Sequence, residues 1–190
     1  MKKSVETREK ILEAAKKAFA QKGFHGVSME EIARNAGVKK ALIYYYFPSK
    51  EDLFFEVWQR SVDEMEESIL KPLEGEGNFA KKLKALLKSY VDFVRSRSDT
   101  LRLVERERFY REEDGGIWSK IRKRYQELLA KVAGMVEEGK REAEVPGDID
   151  SMAMAQFILG SLSMVDQTHL ENLQKLIMRG VIRMKENEGG

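Results

Sequence analysis

The 190-residue sequence contains no cysteine, only two histidines and only three prolines. Without cysteine the chain can form no disulfide bond, no thiolate nucleophile and no sulfur-ligated zinc or iron–sulfur site. His25 and His169 are far apart in the sequence, which argues against a multi-histidine metal site. No apolar run approaches the roughly 20 residues that cross a bilayer, and the charged start MKKSVETREK lacks the apolar segment of a signal peptide. We therefore expect a cytoplasmic protein with no metal, cofactor or membrane partner.

The same absences argue against an enzyme. Catalysis requires a nucleophile paired with a base, a metal site or a phosphate-binding loop, and the sequence contains no glycine-rich loop and no cluster of histidine with carboxylates. Neighbouring carboxylates such as Glu30 and Glu31 are typical of the solvent-facing side of a helix. We expect a protein without catalytic residues, and saturable turnover of a substrate would contradict this expectation.

The near-neutral net charge of +2 hides an uneven distribution. Residues 1–50 carry 11 Lys and Arg against 5 Asp and Glu, whereas residues 51–190 carry 23 against 27. A basic segment on an acidic body is typical of a chain whose basic end meets a polyanion. A solvated lysine-rich surface is the alternative, and charge alone does not decide between them.

Apolar residues recur at helical spacing along nearly the whole chain, and no segment alternates in the manner of a strand. Ser-x-x-Glu and Ser-x-x-Asp patterns at Ser28 and Ser49 are typical of helix starts, and glycines and prolines separate the periodic segments. The sequence thus predicts an all-α protein of nine helices, at about 5–22, 28–36, 39–45, 50–70, 79–96, 99–112, 117–142, 149–166 and 170–186.

Residues 28–47 follow the pattern of a helix–turn–helix: a capped short helix, a turn of three or four residues that contains glycine, and a second short helix. We expect Val38 and Leu42 to pack the second helix against Ile32 and Phe19.

The other side of the second helix carries Lys39, Lys40, Tyr44 and Tyr45. Lysine neutralises phosphate, and tyrosine offers a hydroxyl for phosphate and a flat ring for sugar or thymine methyl contact. These residues indicate a nucleic-acid interface. Taken alone, the pattern is also compatible with ordinary packing of tyrosines between short helices.

Characteristic residues in this part of the chain occur in a consistent order and spacing. They are Phe24-His-Gly-Val-Ser28-Met-Glu-Glu-Ile-Ala33, Ala36-Gly-Val38 and Leu42-Ile-Tyr44-Tyr-Tyr-Phe47-Pro-Ser-Lys50-Glu-Asp-Leu53. Over about 50 residues the sequence resembles the DNA-binding domain of the TetR family of transcriptional regulators. The resemblance implies a three-helix DNA-binding domain at residues 1–48 and a helical effector-binding and dimerisation domain at residues 49–190.

The resemblance also implies which residues meet DNA. Ser28 and Met29 match the positions where the second helix of the family meets the DNA backbone, and Lys50 matches the phosphate contact that opens the fourth helix. The start and exposed middle of the recognition helix correspond to Lys39, Lys40, Ala41, Leu42, Tyr44 and Tyr45.

Two features depart from the family pattern. Position 46 is tyrosine where members often have histidine, and the recognition helix lacks arginine, asparagine and glutamine. Those three side chains are the ones best suited to bidentate base contacts. We therefore expect this protein to read phosphates, methyl groups and DNA shape.

The family resemblance implies a small-molecule effector in the C-terminal domain. Aromatic and methionine side chains suit an adaptable apolar pocket, so we expect a hydrophobic or amphipathic ligand, although each of these residues could simply be core. The candidate pocket residues are Trp58, Met65, Tyr90, Phe93, Phe109, Trp118, Tyr125, Phe157 and Met164.

The helix predicted at 149–166 is apolar nearly all round, which requires burial on two sides. Together with the amphipathic last helix it can form a four-helix bundle across a two-fold axis. A central core helix within one chain is the alternative. We expect a homodimer whose interface contains Met154, Ile158, Gly160, Ser161, Leu162, Val165, Leu173, Ile177 and Val181.

These observations lead to one expected function and two alternatives. We expect a repressor that binds a palindromic operator as a dimer and leaves it when a small hydrophobic effector binds. A ligand-independent DNA-binding structural or division-control protein would share the same DNA-binding segment. Whether such a regulator represses or activates depends on where its operator lies relative to a promoter.

Overall fold

A computed structural model describes residues 2–107, 116–163 and 169–183. Its helices are α1 (Lys2–Lys22), α2 (Met29–Ala36), α3 (Lys40–Tyr46), α4 (Lys50–Leu70), α5 (Phe79–Ser96), α6 (Ser98–Glu107), α7 (Gly116–Arg141), α8 (Ser151–Ser163) and α9 (Leu170–Arg183), with a short 3₁₀ helix at Lys71–Leu73. The described ranges contain nine α-helices and no strand, which confirms the predicted fold class.

The helix ends follow from local capping chemistry. Ser28 accepts a hydrogen bond from the Glu31 backbone N–H at 3.1 Å, which makes it the N-cap of α2. Asp150 performs this role for α8, because its carboxylate accepts from the Ala153 N–H at 2.6 Å. The residues expected to extend α6 to 112 lie outside the described ranges.

The chain divides into two units. Unit 1 comprises Met1–Glu64 and Arg97–Arg124, and unit 2 comprises Met65–Ser96 and Tyr125–Gly190. Unit 1 therefore contains not only the first three helices but also most of α4, all of α6 and the start of α7. This geometric division does not test the functional boundary between residues 48 and 49, which stays a prediction.

An aromatic cluster fills the core of unit 1. Phe54 on α4 meets the ring of Phe19 edge-on, with centroids 4.9 Å apart, and Phe24 meets Phe54 at 5.1 Å. Trp118 on α7 completes the cluster at 5.5 Å from Phe24 and 5.9 Å from Phe54. Edge-to-face pairs at these distances stabilise beyond their buried area. The cluster therefore joins α1, α4 and α7 around the loop that precedes α2.

A polar junction at Glu64 links three helices of the same unit. The Glu64 carboxylate accepts from Lys16 Nζ on α1 at 2.8 Å and from the buried Thr100 hydroxyl on α6 at 3.4 Å. Its other oxygen lies 2.9 Å from Arg97 Nε. One carboxylate thus connects α1, α4 and the start of α6.

A second link joins α6 to the end of α1. Arg106 donates to the Gln21 carbonyl at 3.3 Å, and a Cβ at Gly23 would lie 3.1 Å from Arg106 Nε. Gly23 also has a φ of 71°, in the left-handed region where glycine carries no steric penalty. Glycine at this position therefore ends α1 and leaves room for the guanidinium.

Unit 2 is built around α5, α7, α8 and α9. The Phe79 ring packs so closely on Gly139 that a Cβ there would lie 2.8 Å from Phe79 Cγ. Gln174 of α9 donates to the Leu87 carbonyl of α5. Of the helices in the described ranges, none combines the length and the apolar character that a bilayer span requires.

Candidate nucleic-acid interface

The turn between α2 and α3 has the geometry of a helix–turn–helix. Gly37 ends α2 in the left-handed conformation, with a φ of 67°, and its N–H bonds back to the carbonyls of Ala33 and Arg34. The Val38 N–H also bonds to the Ala33 carbonyl, at 3.0 Å. This paired capping is the Schellman arrangement. Only three residues separate the helices, so the direction of α3 is fixed relative to α2.

Helix α3 buries Ile43, leaves Tyr46 half-buried and exposes its other residues. Ile43 is fully buried and anchors α3. Leu42 is 37% exposed, so part of its side chain is accessible, and its expected contact with Ile32 and Phe19 stays a prediction. Leu42 remains available to an external partner.

The exposed face of α3 combines aromatic rings with positive charge. Tyr44 and Tyr45 are 45% and 78% exposed, and their rings are therefore available to a groove. Lys39 and Lys40 are exposed at the start of the helix, next to exposed Ala41. This is the combination of cation, hydroxyl and flat apolar surface that the sequence predicted for DNA contact.

The start of α2 offers backbone rather than side-chain contacts. Ser28 is exposed but its hydroxyl already caps the helix. The Met29 side chain is 5% exposed and belongs to the core, so only its backbone can reach a partner. Free N–H groups at a helix start suit an anion, which is compatible with the predicted phosphate contact.

Lys50, in the first turn of α4, is held by an aromatic ring. Its ammonium lies 4.4 Å from the centroid of the Phe24 ring, within the range of a cation–π interaction. Phe24 itself packs on Trp118 and Phe54. In the described part of the chain, no carboxylate lies within salt-bridge distance of Lys39, Lys40 or Lys50.

One element of the interface was not predicted from the sequence. The Tyr46 hydroxyl lies 2.9 Å from the Ser4 hydroxyl and donates to the Ser4 carbonyl at 3.2 Å. The bond ties the end of α3 to the first turns of α1 and gives the tyrosine at position 46 a structural role. Arg8 lies 5.1 Å from the Phe47 ring centroid and supports the same corner. No local sequence pattern signals a contact across 42 residues.

Residues 11–57 match the family of bacterial regulatory proteins named tetR. The matched range contains the capped turn, the exposed recognition helix and Lys50. This segment of the chain is similar to the TetR family of regulators.

A curated relative matches about half of the chain. The HTH-type transcriptional activator FasR of Mycolicibacterium smegmatis is 34% identical over 99 residues, which are 52% of this chain and 45% of FasR. The chain thus matches less than half the length of this curated relative.

Two solved structures share the fold over nearly the whole chain. The transcriptional regulator FadR of Bacillus subtilis, in complex with stearoyl-CoA, has a TM-score of 0.73 and 21% identity, and the match covers 93% of this chain and 96% of FadR. AibR, in complex with isovaleryl coenzyme A and operator DNA, has a TM-score of 0.74 and 19% identity, covering 93% of this chain and 98% of AibR.

The predicted effector residues are distributed over both units. In unit 1, Trp58 and Trp118 are buried. In unit 2, Met65, Tyr90 and Phe93 are buried and Tyr125 is half-buried. Phe109 and Met164 lie outside the described residues, and the pocket as a whole stays a prediction.

Phe157 does not fit the predicted pocket. It is 57% exposed on α8, whereas a pocket residue is enclosed. Met152, on the same side of α8, and Leu176 on α9 are also exposed apolar side chains of unit 2. Exposed large apolar residues on neighbouring helices indicate an interaction surface.

This exposure corrects the predicted dimer interface. Met154, Ile158, Leu162 and Ile177 are buried within the chain's own core, so a partner cannot reach them. Among the other residues predicted for the interface, Gly160, Ser161 and Leu173 are half-buried. Val165 lies outside the described residues, and the Val181 side chain is not described. An interface on this part of unit 2 must use the opposite face of α8, which carries Met152 and Phe157.

Proposed function

We propose that the protein is a transcriptional repressor that binds a palindromic DNA operator as a homodimer. The observation that carries the proposal is the exposed face of α3, where Tyr44 and Tyr45 stand beside Lys39 and Lys40 after a three-residue turn. The cations are not neutralised within the described part of the chain, so they are available to phosphate. The AibR structure, which contains operator DNA, supports this use of the fold.

The effector in this proposal is an acyl-CoA thioester. FadR and AibR, whose fold this chain shares, are described with stearoyl-CoA and isovaleryl coenzyme A. In unit 1, Trp58 and the buried Phe54 and Val62, each one turn away on α4, supply the apolar surroundings that an acyl chain requires. Acyl-CoA binding displaces α4, whose first turn carries Lys50, and lowers operator affinity because the effector prefers the released state.

The homodimer of the proposal forms through α8 and α9. Met152, Phe157 and Leu176 provide the exposed apolar surface, and two copies of such a helix pair form a four-helix bundle. A two-fold protein dimer places two recognition helices on a palindromic site. The protein acts in the cytoplasm and carries out no catalysis.

Selection from a pool of random DNA duplexes tests the proposal. The expected product is a sequence with two inverted half-sites about one helical turn apart. Fluorescence anisotropy with the selected duplex should then show weaker binding when stearoyl-CoA is added. Enrichment of no sequence would contradict operator recognition, and specific binding unaffected by stearoyl-CoA would favour the ligand-independent structural protein.

The relative FasR is named as a transcriptional activator, so the direction of regulation requires its own measurement. In a transcription assay with the selected operator placed across a promoter and then upstream of it, a repressor lowers transcript yield in the first arrangement. A rise confined to the upstream arrangement would identify an activator instead.

A further inference from the structure

Trp58 on α4 is fully buried, yet its indole N–H has no hydrogen-bond acceptor among the described residues. Roughly 90% or more of buried polar groups in folded proteins have a partner. A buried N–H that has lost its water without gaining an acceptor destabilises the folded state. Such a donor therefore points to an acceptor that is supplied from outside the chain.

The neighbouring part of α4 does not show the same deficit. The buried Ser61 hydroxyl donates to the Val57 carbonyl at 2.8 Å, so the next polar side chain along the helix is satisfied. A phenylalanine at position 58 would fill apolar space without leaving a donor unpaired. The indole N–H is thus the specific feature that requires an explanation.

We propose that Trp58 donates a hydrogen bond from Nε1 to the thioester carbonyl oxygen of the acyl-CoA effector. This inference rests on the proposed function and deepens it, because it names the atom of the effector that unit 1 recognises. The described residues leave the donor unsatisfied, and the thioester carbonyl of the effector would supply an acceptor. The bond also distinguishes a thioester from a plain hydrocarbon chain.

The absence of a buried cation among the described residues favours a neutral acceptor over a carboxylate. Among the described residues, the buried polar or charged side chains are Ser61, Thr100 and Ser151, and none of them is a cation. A buried carboxylate without a cation is costly, whereas a carbonyl oxygen is satisfied by a single N–H donor. The free acid is therefore a poorer match than the thioester.

Isothermal titration with two probes tests the proposal. The probes are stearoyl-CoA and S-octadecyl-CoA, a thioether that has a chain of the same length but lacks the carbonyl. We expect the unmodified protein to bind the thioester roughly tenfold more tightly than the thioether. In the Trp58→Phe variant, the affinity for stearoyl-CoA should fall to that for the thioether, so the preference disappears.

Trp118→Phe is the matched control, because it makes the same change in an indole that packs on Phe24 and Phe54. Any loss of affinity in Trp118→Phe should be equal for stearoyl-CoA and S-octadecyl-CoA. A thermal melt establishes that each variant is folded, and the preference of the unmodified protein is measured without any substitution.

The outcomes separate this inference from the proposed function. Equal binding of the two probes by the unmodified protein would overturn the proposed role of Trp58 and leave the acyl-CoA effector intact. A thioester preference that survives Trp58→Phe would have the same consequence. Binding of neither probe would overturn the acyl-CoA effector itself and the inference with it.

Discussion

The Lys50 ammonium lies 4.4 Å from the centroid of the Phe24 ring, and that ring meets the indole of Trp118 edge-on at 5.5 Å. The first residue of α4 is thus held by an aromatic ring that also contacts the start of α7. Lys50 is a proposed phosphate contact, so Phe24 is in a position to orient it. Phe24 is the single side chain between Trp118 and Lys50, so a displacement of Trp118 would also shift the position of the Lys50 ammonium.

Replacing Phe24 with leucine should weaken operator binding about two- to fivefold, the size expected for the loss of one partly exposed cation–π interaction. The leucine keeps an apolar side chain at the site but removes the ring quadrupole. Fluorescence anisotropy at fixed salt measures the change.

A double-mutant cycle supplies the control for this first prediction. If Phe24 acts by orienting Lys50, Phe24→Leu should have little further effect in a Lys50→Ala background. An equal loss in both backgrounds would mean that Phe24 contributes only to packing. No loss with Lys50→Ala alone would remove Lys50 from the interface.

Lys39→Ala and Tyr44→Phe should both weaken operator binding. Loss of one phosphate contact lowers the slope of log affinity against log salt by about 1, so the lysine variant should show a shallower dependence. Tyr44→Phe removes only a hydroxyl and should leave that slope unchanged. Anisotropy titrations across a salt series measure both quantities.

Lys88→Ala is the matched control for the lysine variant, since Lys88 is exposed on α5 and is not part of the proposed interface. It should alter neither the affinity nor the salt slope. Unchanged affinity at moderate salt for both Lys39→Ala and Tyr44→Phe would contradict the assignment of α3 as the recognition helix.

The sequence predicted the positions of the helices better than it predicted which side of each helix is buried. A glycine turn and a serine cap mark helix ends locally, so α2 and its three-residue turn were predictable. The sequence did not predict that Ile43 would be more deeply buried than Leu42. Helix α3 is shorter than two full turns, and two adjacent apolar residues show no helical periodicity. The bond between Ser4 and Tyr46 depends on tertiary packing and has no local signal.

The face of α8 was unpredictable for a related reason. Its residues are apolar nearly all round, so the pattern shows that the helix is covered on two sides but not which side meets its own chain. The structure buries Ile158 and exposes Phe157. Only the packing of α8 on α9 and its neighbours decides between them.

Phe157→Asp should convert the dimer to monomers. The substitution places a charge on the exposed apolar face proposed as the interface, where burying it without a partner is costly. Sedimentation velocity measures the mass of the species in solution. Gln126→Asp, which places the same charge on an exposed site of α7, should leave the dimer intact, and a dimeric Phe157→Asp variant would exclude this face.

The pair of Lys82 and Glu138 gives unit 2 a pH-dependent contribution to stability. Lys82 Nζ donates to the Glu138 carboxylate at 2.5 Å, and this bond lowers the pKa of Glu138 below its ordinary value of 4.5. The pair therefore stabilises the fold above about pH 4.5, and the contribution is lost as the pH falls through the lowered pKa. Lys82→Met should raise the pKa of Glu138 toward 4.5 in a carboxyl NMR titration.

Glu137 is the internal reference for that titration. Its pKa is lowered by hydrogen bonds from Ser151 and Lys140, neither of which Lys82→Met removes. The pKa of Glu137 should therefore stay low in the variant. A shift of both carboxyls together, or of neither, would contradict the role of the Lys82 bond.

The central claim is that two copies of the chain hold an operator and release it when an acyl-CoA binds. Sedimentation velocity of a labelled, selected duplex tests this most directly, with stearoyl-CoA added to the preformed complex and coenzyme A alone as the control. We expect a complex of two chains per duplex that persists with coenzyme A and converts to free duplex with stearoyl-CoA. A complex that remains intact while stearoyl-CoA is bound to the protein would contradict it.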